Sequence, residues 1–250
     1  MKKIALVTGA SSGLGMEMVY QIAEVFPSLE EIWVNARRGD VLKRLEAELP
    51  GRIRSFPGDI TQPVTRKLIT DALEAEQAHI MVLVNAAGFG KLGREGTLTE
   101  AESAGMIRVN CEALTLMTEA CLPYLTIKSR VINFASAAAF LPQPGFAVYA
   151  ATKAYVLSYS RALGKELAGR GIKVTAVCPG PVDTEFFTLA EEHASAPVYK
   201  KLFMSKTEDV AARALADSRA GKTVSVYGGP MKLFRLLAKL VPTDLLLKFF

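Results

Sequence analysis

The sequence predicts an α/β fold: a Rossmann-like, doubly wound parallel sheet of about seven strands, with helices on both faces. Three observations predict it. Short β-branched apolar runs alternate with longer helical patterns along most of the chain, the signature of βαβ units. Most runs are solidly apolar at their centres, as expected of strands covered on both faces. The first run passes through a glycine-rich turn straight into an apolar-periodic helix, the connection that starts a right-handed crossover.

Strands are expected at Ile4–Thr8, Glu31–Asn35, Arg52–Phe56, Ile80–Val84, Arg130–Phe134, Lys173–Val177 and Thr223–Tyr227. Between them, apolar residues recur at helical spacing over about 13–26, 40–49, 63–77, 99–125, 149–169 and 207–219. Thr207, with Glu208 and Asp209 behind it, supplies a capping hydroxyl and acids at the positive end of the last of these helices. Gly171 suits a helix stop. No linker, repeat or low-complexity stretch interrupts the order. A single catalytic unit is therefore expected over residues 1–230, carrying a mobile segment at 185–206, followed by a helical tail at 231–250.

Half of the 250 residues are hydrophobic and 22% are charged, a balance normal for a compact soluble protein. Met1, Lys2 and Lys3 lead directly into a five-residue apolar run, too short for a secretory leader. No segment reaches the roughly 20 uncharged apolar residues needed to span a bilayer, so a cytoplasmic protein is expected. Cys111, Cys121 and Cys178 are odd in number and lack metal-ligand spacing, which argues against a disulfide framework or a zinc site. With only His79 and His193 beside them, no metal centre is expected. The net charge of +5 is unevenly placed: residues 200–250 hold ten Lys/Arg and four Asp/Glu. No nucleic-acid recognition motif accompanies this basic end, and no nucleic-acid partner is expected.

The turn after the first strand reads Thr8, Gly9, Ala10, Ser11, Ser12, Gly13, Leu14, Gly15. Glycines there let backbone N–H groups approach a pyrophosphate, and the following helix turns its positive end toward that charge. Taken alone, such a turn can also be plain punctuation. About 20 residues on, an NAD-binding unit usually places an acid for the ribose 2′-hydroxyl. Here the stretch reads Trp33, Val34, Asn35, Ala36, Arg37, Arg38, with no acid before Asp40. A guanidinium offers a 2′-phosphate forked, charge-assisted hydrogen bonds. Arg37 and Arg38 therefore favour NADP(H) over NAD(H); the bland alternative is that both merely solvate a loop.

Tyr149 and Lys153 stand four residues apart, on one face if the segment is helical. A nearby ammonium stabilises phenolate and is expected to lower the tyrosine pKa. Most such pairs are surface decoration. Ser136, however, follows the run Val131–Phe134 and so lies at a strand's carboxyl end, where open parallel sheets bind ligands.

With these residues the chain resembles the short-chain dehydrogenase/reductase family over about residues 2 to 230. The motifs, in order, are TGASSGLG at 8–15, Asp59 and Ile60, Asn85, Ala86, Ala87 and Gly88, then Asn110, Ser136, Tyr149 with Lys153, and Pro179 and Gly180 with Thr184 beyond. The resemblance implies a carbonyl–alcohol interconversion by hydride transfer. It implies that Ser136, Tyr149 and Lys153 are catalytic, and that Asn110 completes a tetrad by holding a relay water. It further implies that Asp59 and Ile60 meet the adenine, that Asn85 to Gly88 flank the cofactor, and that Pro179, Gly180, Val182 and Thr184 embrace the nicotinamide. Lys153 and Tyr149 would also touch the nicotinamide ribose.

Two departures stand out. Ala135 replaces the second serine of many relatives, and TVSVYGG at 223–229 lacks the Asp that often precedes the paired glycines. The second leaves the family's usual tetramer interface open, while a homodimer or homotetramer remains the expectation from the family. Phe186, Phe187, Leu189, Tyr199, Leu202, Phe203 and Met204 make the 185–206 segment an apolar lid, suited to a bulky hydrophobic carbonyl or alcohol such as a steroid-like or fatty-acyl compound, or else to packing under a helix. In the tail, Lys232, Arg235 and Lys239 share one narrow helical face, and Thr243 is positioned to cap a second short helix. A basic amphipathic stretch of this kind can cover a pocket, pack on another subunit or lie on an anionic membrane surface. The alternatives to a ketoreductase are a non-catalytic NADP(H)-binding sensor or scaffold, and a lipid ketoreductase at a membrane surface.

Overall fold

The computed structural model describes residues 2–94, 96–191 and 204–248. Seven strands form one sheet: β1 (Lys3–Thr8), β2 (Glu31–Ala36), β3 (Ile53–Pro57), β4 (His79–Asn85), β5 (Leu125–Phe134), β6 (Lys173–Val177) and β7 (Val224–Ser225). Their order is β3-β2-β1-β4-β5-β6-β7, with every neighbouring pair parallel. The order reverses between β1 and β4, and the strand ends there open a crevice that a ligand can enter.

Alternation along each strand splits the core into two layers. Ala5 and Val7 of β1 pack with Val34, Val82 and Val84 against Met18, Val19 and Ile22 of α1 (Gly13–Val25) and Leu42 and Leu45 of α2 (Gly39–Glu48). Ile4 and Leu6, one residue out of phase, face Ile69 and Leu73 of α3 (Pro63–Ala75) on the opposite side. Period-two side-chain direction is what lets one strand serve both layers.

Residues expected as one helix over 99–125 form α4 (Glu100–Ile107), a π-helical turn (Arg108–Ala113), α5 (Leu114–Cys121) and a 3₁₀ turn (Leu122–Tyr124). Thr99 and Glu102 close a capping box at its start, which satisfies two N-terminal donors at once. Leu125 already belongs to β5, which begins five residues earlier than expected. Two irregularities hid that start: Lys128 adopts φ +71°, and the β4–β5 register shifts between Ile80 and Val82. β7 is shorter than expected, two residues rather than five.

The remaining helices are α6 (Ala147–Glu166), α7 (Glu185–Ala190), α8 (Thr207–Arg219), α9 (Gly229–Leu240) and α10 (Thr243–Leu247). Gly171 ends the α6 region at φ +71°, as expected. Thr207 and Thr243 are not caps. The caps are Lys206 and Pro242, and the Thr207 hydroxyl instead donates to the Asp183 carbonyl at 3.1 Å. Asp217 anchors α8 to the sheet edge: it is buried and accepts from Arg213 at 2.8 Å and Ser225 at 2.9 Å, with Lys222 at 2.8 Å. No helix among the described residues is long and apolar enough to cross a membrane.

Candidate active site

At the switch between β1 and β4 lies a cleft of about 740 Å³, within the range of small-molecule and cofactor sites. Its first wall is the turn after β1. Gly9 has φ +73°, and a Cβ there would lie 2.5 Å from the Ala87 nitrogen. Only glycine lets this turn rest against the Ala86–Gly88 segment after β4. Helix α1 then starts at Gly13. Its N-cap residue, Ser12, makes no capping side-chain hydrogen bond, and its first turn holds no acid. The open N–H groups and the positive helix end form a cradle suited to a pyrophosphate. Ser11, Leu14 and Gly15 line the same wall.

The loop after β2 supplies positive charge. Arg37 is exposed on the cleft. Arg38 is held in place, its Nη2 donating to the Ser11 carbonyl at 2.9 Å and its Nε to Ser11 Oγ at 3.2 Å. Asp59 and Ile60 close that end. Asp59 Oδ1 accepts from the Thr61 N–H at 2.9 Å and the Thr61 hydroxyl at 2.8 Å, which fixes the carboxylate in a turn.

Ser136 follows β5 and caps a short 3₁₀ turn, its Oγ accepting from the Ala138 N–H at 3.1 Å. Tyr149 lies in the first turn of α6, buried, with its ring stacked on Phe146 at 4.3 Å between centroids and tilted against Phe186 at 5.4 Å. Lys153, one turn on, donates to the Phe134 carbonyl at 2.8 Å, with its Nζ 5.6 Å from the centre of the tyrosine ring. The three residues meet at the floor of the cleft.

The electrostatics differ from the expectation. Burial pushes the Tyr149 phenol up to about 12, against the neighbouring Ser136 hydroxyl, which lowers it. The same burial pushes the Lys153 ammonium down to about 8. A depressed tyrosine was expected from the neighbouring lysine. Desolvation dominates because both groups sit where water cannot solvate their charged forms.

Two expected site residues stand behind the cleft rather than on it. The Asn85 amide donates to Thr118 Oγ1 and Asn133 Oδ1, both at 2.9 Å. It sits at the end of β4 beneath the cofactor-facing loop, and Ala86, Ala87 and Gly88 line the cleft in its place. Asn110 lies in the π-helical turn. Its Oδ1 accepts from the Phe89 N–H at 3.0 Å, and its Nδ2 donates to the Phe89 carbonyl at 2.9 Å and Thr152 Oγ1 at 3.0 Å. Its side-chain amide thus ties the Phe89 backbone to α6. A π-turn in a helix often marks a functional position, and here it carries the residue that clamps the loop.

Pro179, Gly180, Val182 and Thr184 form the wall after β6. The Asp183 N–H bonds the Ser205 carbonyl at 3.1 Å, and the Ser205 N–H bonds the Pro181 carbonyl at 2.9 Å, so the chain on either side of the 185–204 stretch is tied together. Of the apolar lid residues expected to meet substrate, Phe186 lines the cleft. Tyr199, Leu202 and Phe203 lie outside the described residues, as do the side chains of Phe187 and Leu189.

Several lining residues had no signal in a motif: Phe89, Gln143 and Phe146. The tail contributes two more. Met231 and Phe234 of α9 reach the cleft, and a Cβ on Gly180 would come within 2.6 Å of Met231 Sδ. Phe234 approaches Phe140 at 6.4 Å between centroids. Of the readings left open for the tail, cover over the cleft is therefore present. Among the described residues, no group of three His, Cys, Asp or Glu side chains is placed to hold a metal.

A family model described as short chain dehydrogenase matches residues 3–195. A 3-oxoacyl-[acyl-carrier-protein] reductase of Thermotoga maritima is 29% identical over 84% of this chain and 87% of its own length. An NADP-dependent 3-hydroxy acid dehydrogenase of Schizosaccharomyces pombe is 30% identical, over 84% of both chains. Among solved structures, a short-chain dehydrogenase from Sphingobium yanoikuyae in complex with NADPH superimposes with a TM-score of 0.76 at 27% identity, covering 90% of this chain and 87% of that one.

Proposed function

The chain belongs to the short-chain dehydrogenase family, oxidoreductases acting on hydroxyl groups, and on that premise we propose that it is an NADP(H)-dependent ketoreductase for a bulky hydrophobic carbonyl compound. One observation carries the reading: Tyr149, buried, lines the cleft together with Ser136 and with Lys153, which stands one helical turn on.

The Gly9–Gly15 turn would hold the pyrophosphate of NADPH, with Arg37 and Arg38 toward its 2′-phosphate, and the bound cofactor would supply the hydride that the carbonyl carbon takes up. The remaining work belongs to the protein. The Ser136 hydroxyl donates a hydrogen bond to the substrate's carbonyl oxygen. Tyr149 Oη gives its proton to that oxygen as negative charge develops, and the phenol that burial keeps protonated is ready for that direction. In the reverse direction Tyr149 takes the alcohol proton, which the Lys153 ammonium favours by offsetting phenolate charge. Asn110 is a positioning residue, fixing the loop through Phe89. The NADP-dependent fission-yeast relative supports the cofactor preference.

A hydrophobic substrate is supported by the lining: Phe89, Phe146, Phe186, Met231 and Phe234 face the cleft. A fatty-acyl compound fits it, as does a flat steroid-like one, and the acyl-carrier-protein reductase among the relatives favours the first. A homodimer or homotetramer is supported by exposed Ile107, Leu116 and Tyr155 on α4, α5 and α6; light scattering giving a monomer throughout would remove it.

The test is a spectrophotometric screen with NADPH and NADH against oxoacyl thioesters, steroids, aldehydes and sugars, run on the wild type and on Tyr149→Phe. NADPH-dependent turnover is expected with an apolar substrate, and the variant should lose about 10²- to 10⁴-fold in rate while binding cofactor normally. Undiminished turnover by the variant would overturn the catalytic assignment. Cofactor binding without turnover on any substrate would instead make the protein a binder.

A further inference from the structure

We propose that the leucine face of α9 and α10 docks the protein on an anionic lipid bilayer. Helix α9 carries three faces. One, bearing Met231 and Phe234, closes over the cleft. The second bears Leu233, Leu236, Leu237 and Leu240, which are 57%, 51%, 43% and 69% exposed, and α10 adds Leu245 at 48%. At about 100° per residue the four leucines of α9 fall within roughly a 100° stripe. The third face, bearing Lys232, Arg235 and Lys239, spans roughly 60° and borders that stripe.

An apolar stripe of this size is seldom left in water. Charge decides what covers it. Residues 200–250 carry ten Lys/Arg against four Asp/Glu, and Asp244 is the one acid within 229–248. Lys232 and Lys239 lie along the edge of the leucine stripe, where a helix at an anionic interface needs them: leucines among the acyl chains, ammonium groups at the phosphates. The Arg235 guanidinium beside them rests over the Phe140 ring, 5.8 Å from its centre. A self-contact through the same face would gather two such basic flanks beside one interface with little acid to offset them. At 12 residues, α9 is too short to cross a bilayer and lies in its plane. The helix that rests on the lipid is at the same time a wall of the cleft.

The test uses the full chain and sedimenting vesicles, one set of phosphatidylcholine alone and one of equal parts phosphatidylcholine and phosphatidylglycerol. Binding is expected to the mixed vesicles, to weaken with added salt, and to be at least tenfold weaker on phosphatidylcholine alone. Leu236→Ser with Leu240→Ser should cut binding to the mixed vesicles by about tenfold or more. Lys232→Gln with Lys239→Gln should cut it by roughly fivefold per charge. None of these side chains lines the cleft, so unchanged NADPH affinity shows that each variant is folded. The proposal falls if the wild type binds neither vesicle, or if the leucine variant binds as well as the wild type. It falls equally if the leucine substitutions convert an oligomer to a monomer in a protein that ignores lipid, which would make the stripe a contact between copies.

Discussion

Arg38 and Glu185 form an ion pair across the cleft, Nη1 to Oε2 at 3.0 Å, joining the loop after β2 to helix α7. Both residues line the cleft, and Arg38 is the side chain whose charge suits a 2′-phosphate. A phosphate arriving there competes with the glutamate for the same guanidinium. Glu185→Gln is therefore expected to tighten NADP⁺ binding by about two- to fivefold, the scale of an exposed pair, and to leave NAD⁺ unchanged. Arg38→Ala should weaken NADP⁺ selectively. Fluorescence titration with both dinucleotides checks this, and equal shifts for the two would contradict it.

Burial holds the Lys153 ammonium down to about 8, so it loses its proton just above neutrality. If that charge supports cofactor binding, NADPH affinity should fall as pH rises through about 8. The Lys153→Met variant should bind more weakly at pH 7 and show no such limb. The folded-state value lies below that of an unfolded lysine, near 10.4, so this group also makes folding stability rise with pH between the two values. A pH-independent affinity in the wild type would show that the ammonium does not matter to the cofactor.

Asn110→Ala is predicted to act through Phe89. It removes one donor and one acceptor from a buried loop, costing about 1–3 kcal/mol for the groups left unpaired. The reaction rate should drop more than cofactor affinity, since the pyrophosphate cradle lies on the other side of the sheet switch. Asn110→Asp retains the acceptor for the Phe89 N–H and should recover part of the loss, if the role is positioning. A rate equal to wild type in the alanine variant would remove Asn110 from the mechanism.

Asp217 is the main buried acid at the sheet edge. Burial raises its pKa, but hydrogen bonds from Lys222, Ser225 and Arg213 outweigh that and leave it below the ordinary value. Its stabilisation is thus present above about pH 4, where the unfolded carboxyl is ionised, and is lost as pH falls through the folded value. Asp217→Asn should cost about 2 kcal/mol near neutrality, less than a fully buried pair would lose, because Arg213 and Lys222 can still reach water. Thermal melts should show the gap between variant and wild type narrowing under acid.

The order of strands and helices, the glycine turn, the two arginines and the Ser136–Tyr149–Lys153 set were all legible in the chain. Each depends on local spacing: period two for strands, period 3.6 for helices, fixed offsets for the motifs. Tertiary structure decided the rest. The side-chain amides of Asn85 and Asn110 bond Thr118, Asn133, Phe89 and Thr152, partners 21 to 48 residues away that no local pattern reveals. The direction of the Tyr149 shift was likewise not in the Tyr–Lys spacing, because desolvation depends on everything packed around a group. Nor could the sequence say which face of the tail meets the cleft. Its amphipathicity was plain, but the assignment of Met231 and Phe234 to the cleft and of the leucines to the outside required Gly180 and Phe140 to be brought alongside. Local periodicity determines which residues share a face; long-range packing determines what that face touches.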